Sequence, residues 1–149
     1  MVPRENAKEL KLNDPRKIFV FTVFTALTGI TPIDYYESGS TITFLIDKSE
    51  LRKFRAVALD VIRNISAELK KQVEVVVFSE NLEKFIQNLF RPAKVENVIK
   101  REIKNKKTAL LVKVPVWDRG KALGKNSYKL YRARYFLSKY FDIEHVRIV

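Results

Sequence analysis

Apolar residues recur along this chain with two periods, about 3.6 and 2, and the switches between them divide it into elements. The longest regular stripe lies between Ser49 and Lys71. Leu51, Phe54, Ala58, Val61, Ile62, Ile65 and Leu69 fall within an arc of about a third of a turn at 3.6 residues per turn, and no Gly or Pro interrupts them. The pattern predicts one amphipathic helix with Ser49 as its N-cap. Ahead of it, Pro32 to Tyr36 and Thr41 to Ile46 read as strands joined by the turn-rich Glu37-Ser38-Gly39-Ser40. Behind it, Val73 to Phe78 is a β-branched strand. The apolar run Ile18 to Leu27 is ambiguous by composition, because Val and Phe suit a strand. Its flanks favour a helix: Asp14-Pro15 is an N-cap followed by proline at the first helical position, and Gly29 is a stop. Residues Met1 to Asn13 are mostly charged and are expected to form a loose arm.

The second half repeats this order. Ser79 to Phe90 reads as a helix with Leu82, Phe85, Ile86 and Leu89 inward, ended by Arg91-Pro92. Lys94 to Ile99 and Thr108 to Val114 read as strands across a charged turn, Glu102 to Lys107. A short helical turn follows Val116 and stops at Gly124. A longer helix then runs to Phe141, with Leu130, Ala133, Leu137 and Phe141 at helical spacing. Ile143 to Val149 closes as a strand. Val73-Glu74 and Ile143-Glu144 occupy matching points, so the chain reads as two copies of one domain rather than a solenoid.

Charge narrows the partner. In 149 residues the net charge is +12, which points first to nucleic acid and second to an acidic membrane surface. The membrane reading is the weaker, because basic residues are spread over both halves and Ile18 to Leu27 is shorter than the roughly 20 residues a span needs. No secretory leader pattern opens the chain. There is no cysteine and a single histidine, His145, which excludes a disulfide framework and a thiolate zinc site and leaves His145 without the partners a metal site requires. No Walker loop or nucleophile elbow is present. The expectation is a protein that is not an enzyme, needs no cofactor and works in a reducing cytoplasm.

The candidate chemistry sits between the last two helices. Arg119-Gly120-Lys121-Ala122-Leu123-Gly124-Lys125-Asn126-Ser127 places a glycine loop, flanked by lysines, at a helix N-terminus. Backbone N–H groups and the helix dipole there point outward at an anion, and glycine permits close approach. The plainer reading is a helix–helix turn with Gly124 as stop and Ser127 as the next N-cap. Tyr128, Tyr131 and Tyr135 lie opposite the Leu130, Ala133, Leu137 stripe, with Lys125, Arg132 and Lys139 sharing or bordering their face. Aromatic residues interleaved with cations can stack bases, or the tyrosines pack on a protein. Trp117 is expected to be a core anchor or a lid on the sheet edge.

The nine-residue stretch resembles the GXXG loop of KH nucleic-acid-binding domains, and specifically that of the archaeal NusA family, in which Arg/Lys-Gly-Lys-Ala-Ile-Gly-Lys-x-Gly stands. Here Ser127 replaces the second glycine, and its Cβ is expected to weaken a phosphate clamp. The likeness extends to Leu27-Thr28-Gly29, to Val73-Glu74-Val75-Val76-Val77-Phe78-Ser79-Glu80 and to Phe85-Ile86-Gln87-Asn88-Leu89-Phe90-Arg91-Pro92-Ala93, and so covers most of the chain. It supports the helical reading of Ile18 to Leu27.

The resemblance implies an α+β fold of two tandem type II KH-like domains, each a three-stranded sheet with helices on one face. The divisions would be an arm at 1–14, a first domain at 15–78 and a second at 79–149. In the first domain, Ala56-Val57-Ala58-Leu59 matches the loop with both glycines gone, so two helices are expected to be fused there. Arg52, Lys53, Arg55 and Arg63 would then offer at most diffuse phosphate contacts. In the second, Arg119, Lys121 and Lys125 would supply charge, Gly120 and Gly124 backbone access, Asn126 and Ser127 hydrogen bonds, and Tyr128 and Arg132 the adjoining face. The implied function is that of a monomeric NusA-like factor that binds single-stranded RNA and acts with RNA polymerase in transcription elongation or termination. The alternative is a protein-interaction scaffold of the same fold in the transcription or translation machinery.

Overall fold

The computed structural model describes residues 14–149, so the expected arm, apart from Asp14, lies outside the described residues. They divide into two compact units that meet in sequence at Phe78 and Ser79.

The first unit runs α1 (Pro15–Thr28), β1 (Asp34–Ser38), β2 (Thr41–Ile46), α2 (Leu51–Leu69) and β3 (Gln72–Val77). The Asp14 carboxylate accepts from the backbone N–H groups of Arg16 at 3.0 Å and Lys17 at 3.5 Å, and Pro15 opens α1 at no cost in hydrogen bonds. Gly29 ends it at φ 72°, in the left-handed region, with its N–H on the Thr25 carbonyl. Asp47, not Ser49, caps the next helical segment: its carboxylate accepts from the Ser49 N–H at 2.9 Å. A 3-10 turn at Lys48–Glu50 leads into α2. Helix α2 then continues through Ala56 to Leu59 without a break.

The sheet has order β1-β2-β3. β2 pairs antiparallel with β1 across the Gly39-Ser40 turn and parallel with β3. A parallel pair needs a crossover, and α2 is that crossover. Both helices pack on the β2 face that carries Ile42, Phe44 and Ile46. Val20 and Phe24 come from α1, and Phe54, Val61, Ile65 and Leu69 from α2. The Phe24 and Phe44 rings stack with centroids 4.2 Å apart.

The second unit repeats the plan with α3 (Leu82–Phe90), β4 (Asn97–Ile103), β5 (Lys107–Lys113), α4 (Arg119–Leu123), α5 (Tyr128–Phe141) and β6 (His145–Ile148). Its sheet has order β4-β5-β6, antiparallel then parallel, so the paired helices α4 and α5 stand where the single α2 stands in the first unit. α3 starts three residues later than Ser79, because Asn81 supplies the cap, accepting from the Lys84 N–H at 2.9 Å. The expected charged turn, Glu102 to Lys107, is half strand. Arg101, Glu102 and Ile103 pair with Ala109, Thr108 and Lys107, leaving only Lys104–Lys106 to turn. β4 is an edge strand, where charged side chains are tolerated and deter edge-to-edge association.

The buried side of α5 is rotated from the expected stripe. Ala133 and Leu137 are buried as expected, but Lys129, Arg132, Phe136 and Tyr140 join them, while Leu130 and Phe141 are only half-buried. The architecture is α+β, two KH-like units each with one three-stranded mixed sheet.

Candidate nucleic-acid interface

Helix α4 closes its last turn with the Gly124 N–H on the Gly120 carbonyl, at 2.9 Å. The chain then turns sharply. Gly124 has φ 72° and ψ 177°, a combination essentially confined to glycine. A side chain would also not fit: a Cβ on Gly124 would stand 2.5 Å from Tyr128 Cε1 and 2.8 Å from Cδ1. The Tyr128 ring therefore lies directly on the Gly124 backbone. Asn126 and Ser127 follow in the left-handed region, at φ 55° and 60°, and α5 begins at Tyr128. The Ser127 N–H donates to the Gly124 carbonyl at 3.1 Å.

Ser127 is not the side-chain cap that the turn reading requires. It occupies the capping position, but its hydroxyl makes no capping hydrogen bond. A residue of extended backbone aims its side chain at the second and third N–H groups of a helix, and the left-handed backbone of Ser127 does not. The first turn of α5 thus receives no acceptor from its N-cap side chain; the Tyr128 N–H donates instead to the Lys125 carbonyl, and the helix dipole still favours an anion at this end.

The predicted residues separate into two groups. Arg119, Gly120, Lys121, Lys125 and Asn126 are exposed on α4 and the loop, and Lys121 makes only a loose 3.8 Å pairing with Asp118. Arg132 is a correction. It is 2% exposed, and its Nη2 donates to the Leu89 carbonyl at 2.7 Å, so it ties α5 to the end of α3 rather than facing solvent. Lys129, which periodicity did not single out, is also buried. Its Nζ donates to the carbonyls of Arg91 and Lys121, each at 3.0 Å. One ammonium thereby joins the end of α3, the end of α4 and the first turn of α5, fixing the loop from behind with positive charge.

The tyrosines each sit beside a cation of their own helix: Arg132 lies 5.4 Å from the Tyr128 centroid, Arg134 5.7 Å from Tyr131 and Lys139 5.4 Å from Tyr135. Only Tyr131 is classed as exposed. Trp117 is the second correction. It is 81% exposed in a 3-10 turn before α4, neither an anchor nor a lid. The position inside is taken by Asp118, whose Oδ2 accepts from the Lys94 N–H at 2.9 Å.

Beside the loop lies a shallow groove of about 330 Å³, lined by Arg119, Leu123, Leu130, Arg134, Arg147 and Ile148. It has an apolar floor and three guanidinium groups at its rim. Arg134 is held in place, its Nε and Nη2 each 3.3 Å from the Val146 carbonyl on β6. Arg134 and Arg147 were not singled out in the sequence because they meet only when β6 pairs parallel to β5. Among the described residues no group of His, Cys, Asp or Glu is placed to hold a metal ion, and no helix is long and apolar enough to cross a membrane.

No family model matches the chain. A protein of Halococcus morrhuae named "Probable transcription termination protein NusA" is 25% identical over 126 residues, spanning 85% of this chain and 89% of that protein. A protein of the same name from Methanococcus vannielii is 22% identical over 140 residues, spanning 94% of this chain and 80% of its own. Among solved structures, the crystal structure of APE1850 is 31% identical, with a TM-score of 0.74 over 90% of this chain and 98% of that one. By sequence, the chain is a distant relative of the archaeal NusA-like family, and its fold matches that of APE1850.

Proposed function

We propose that this protein binds single-stranded RNA through its second KH-like unit and acts as a NusA-like factor beside RNA polymerase during elongation or termination. The observation that carries this reading is the backbone of Gly124 to Ser127. Gly124, Asn126 and Ser127 have positive φ ahead of a helix whose N-cap side chain makes no capping bond, with Lys121 exposed before the loop and Lys125 exposed within it. Such a loop clamps a short stretch of single-stranded backbone, and the adjoining groove offers an apolar floor for bases and arginines for phosphates. The name carried by the relatives supports a role in transcription termination. In the first unit the equivalent helix is continuous, and Lys53 is committed to the Gly29 carbonyl at 2.8 Å, so that unit is assigned no clamp.

The test compares Lys125→Asp with Arg63→Asp in fluorescence anisotropy on a single-stranded RNA. The two make the same change in charge, and both residues are exposed. Lys125→Asp is expected to weaken binding far more. Equal losses would show diffuse electrostatic attraction and favour the scaffold reading. That second reading has an observation of its own: Ile18, Phe19 and Leu27 on α1 and Val116 and Trp117 before α4 are all exposed apolar side chains.

A further inference from the structure

The groove beside the loop does not end at β6. A second cavity of about 570 Å³ opens on the β4-β5-β6 sheet, and Arg134 and Arg147 line both. Its floor is Ile103, Ala109 and Leu111, and its far rim is Arg101 on β4. No acidic residue is among its lining side chains. Register explains the composition. Arg101 pairs with Ala109, Ala109 with His145, and Leu111 with Arg147. Paired residues share a face, so the arginines of both edge strands rise on either side of an apolar middle strand. The opposite face takes the core residues Leu110, Val112 and Val146. Arg101, Arg134, His145 and Arg147 are all exposed, and Ile103 is 40% exposed.

We infer that this sheet face is a second RNA subsite, continuous with the loop groove, so that a strand leaving the groove passes over β6 between Arg134 and Arg147 and crosses toward Arg101. From β6 to β4 is two strand spacings, about 10 Å. Charge complementarity selects the occupant. Arginines bordering an apolar floor suit a chain with phosphates outside and bases inside, whereas a protein partner would need a row of carboxylates. The subsite rests on the reading of the second unit as an RNA clamp, and it makes a separate prediction about length. The loop groove alone engages about four nucleotides; the longer path engages more.

The experiment measures anisotropy with oligouridines of about four and about ten nucleotides on the full chain, for the wild type, Arg101→Glu, Lys125→Asp and the charge-matched control Lys84→Glu. The expected result is that the longer RNA binds the wild type more tightly. Arg101→Glu should lower affinity for the longer RNA at least about fivefold while leaving the shorter unchanged, and Lys125→Asp should weaken both. Arg101 is exposed on an edge strand, and circular dichroism checks that its variant folds. If Arg101→Glu weakens both lengths equally, or no more than Lys84→Glu does, the subsite is refuted. Should Arg101→Glu be silent while Lys125→Asp still weakens both, only the subsite falls. If Lys125→Asp is silent as well, the clamp falls with it.

Discussion

Ser127→Gly tests the loop through its backbone. Ser127 sits at φ 60° and ψ 26°, where an L-residue pays about 1–2 kcal/mol relative to the right-handed helix. Glycine removes that cost but loses more freedom on folding, about 0.5–1 kcal/mol. The hydroxyl makes no capping bond, so nothing is lost there. The net expectation is a gain of about 0.5–1 kcal/mol in the stability of the second unit. Ser127→Ala keeps the Cβ and the strain and should lie within about 0.5 kcal/mol of wild type, in contrast to the loss of about 1 kcal/mol for removing a working cap. Urea unfolding followed by circular dichroism gives the sum over both units, and hydrogen exchange of α5 amides isolates the second. RNA affinity should rise for Gly and not for Ala, since only Gly removes the Cβ. A loss of about 1 kcal/mol in Ser127→Ala, with no gain in Ser127→Gly, would show that the hydroxyl caps α5 and that the left-handed backbone stores no strain.

Gly124→Ala should destabilise the second unit by at least about 2 kcal/mol, from backbone strain and from collision with the Tyr128 ring. Gly120→Ala is its contrast: nothing lies within 4 Å of the added Cβ, so thermal stability should hold or rise, and weakened RNA binding would mark Gly120 as a point of close approach. Lys129→Met strips the ammonium from the Arg91 and Lys121 carbonyls and should cost about 1–3 kcal/mol, with faster exchange of the Gly124 to Ser127 amides. In the first unit, Glu37 accepts from Arg16 Nε at 3.0 Å and Nη2 at 2.6 Å, and this pairing, with Lys71 adding to it, holds its carboxyl below the usual range. A depressed folded value means stability present above the unfolded pKa of about 4.3 and lost as pH falls through the lower folded one. Glu37→Gln should therefore cost at most about 1 kcal/mol at pH 7, and its difference from wild type in urea titrations should shrink steadily below about pH 4.3.

Elements bounded by strong local chemistry were legible in the sequence. Asp14-Pro15 and Gly29 delimit α1 although its composition suits a strand, because caps satisfy groups that composition does not address. The unbroken stripe of α2 was readable for the same reason that it folds: its apolar face keeps phase through Ala56 to Leu59. What was not legible depends on groups distant in the chain. β4 carries Lys100, Arg101 and Glu102 because it is an edge strand, and strand order is not written in any window of residues. Arg132 reads as a surface cation and is buried, because the Leu89 carbonyl at the end of α3 waits for it 43 residues away. Trp117 reads as core and is exposed, because Asp118 takes the inward position to bind the Lys94 N–H.

The two units carry one plan with two solutions at the same point, and their comparison bears on where binding belongs. In the first, Ala56 to Leu59 extend a helix, each residue adding a hydrogen bond at little cost; the side chain left over, Leu59, is 90% exposed and serves no packing purpose. In the second, the chain stops at Gly124, holds Asn126 and Ser127 left-handed, and restarts without a side-chain cap. Strained residues of this kind cost about 1 kcal/mol or more each and persist only where surrounding structure enforces them. Lys129 and Arg132 do the enforcing, drawing α5 inward onto main-chain carbonyls. A continuous helix was available to this fold, as the first unit demonstrates. Left-handed residues also stand elsewhere among the described residues, at Lys70, Asn105, Lys106 and Asp142, but only here do they separate two helices beside the arginine groove, with no side-chain cap on the second helix. That coincidence is why the loop, and not the basic residues of α2, is proposed as the RNA site.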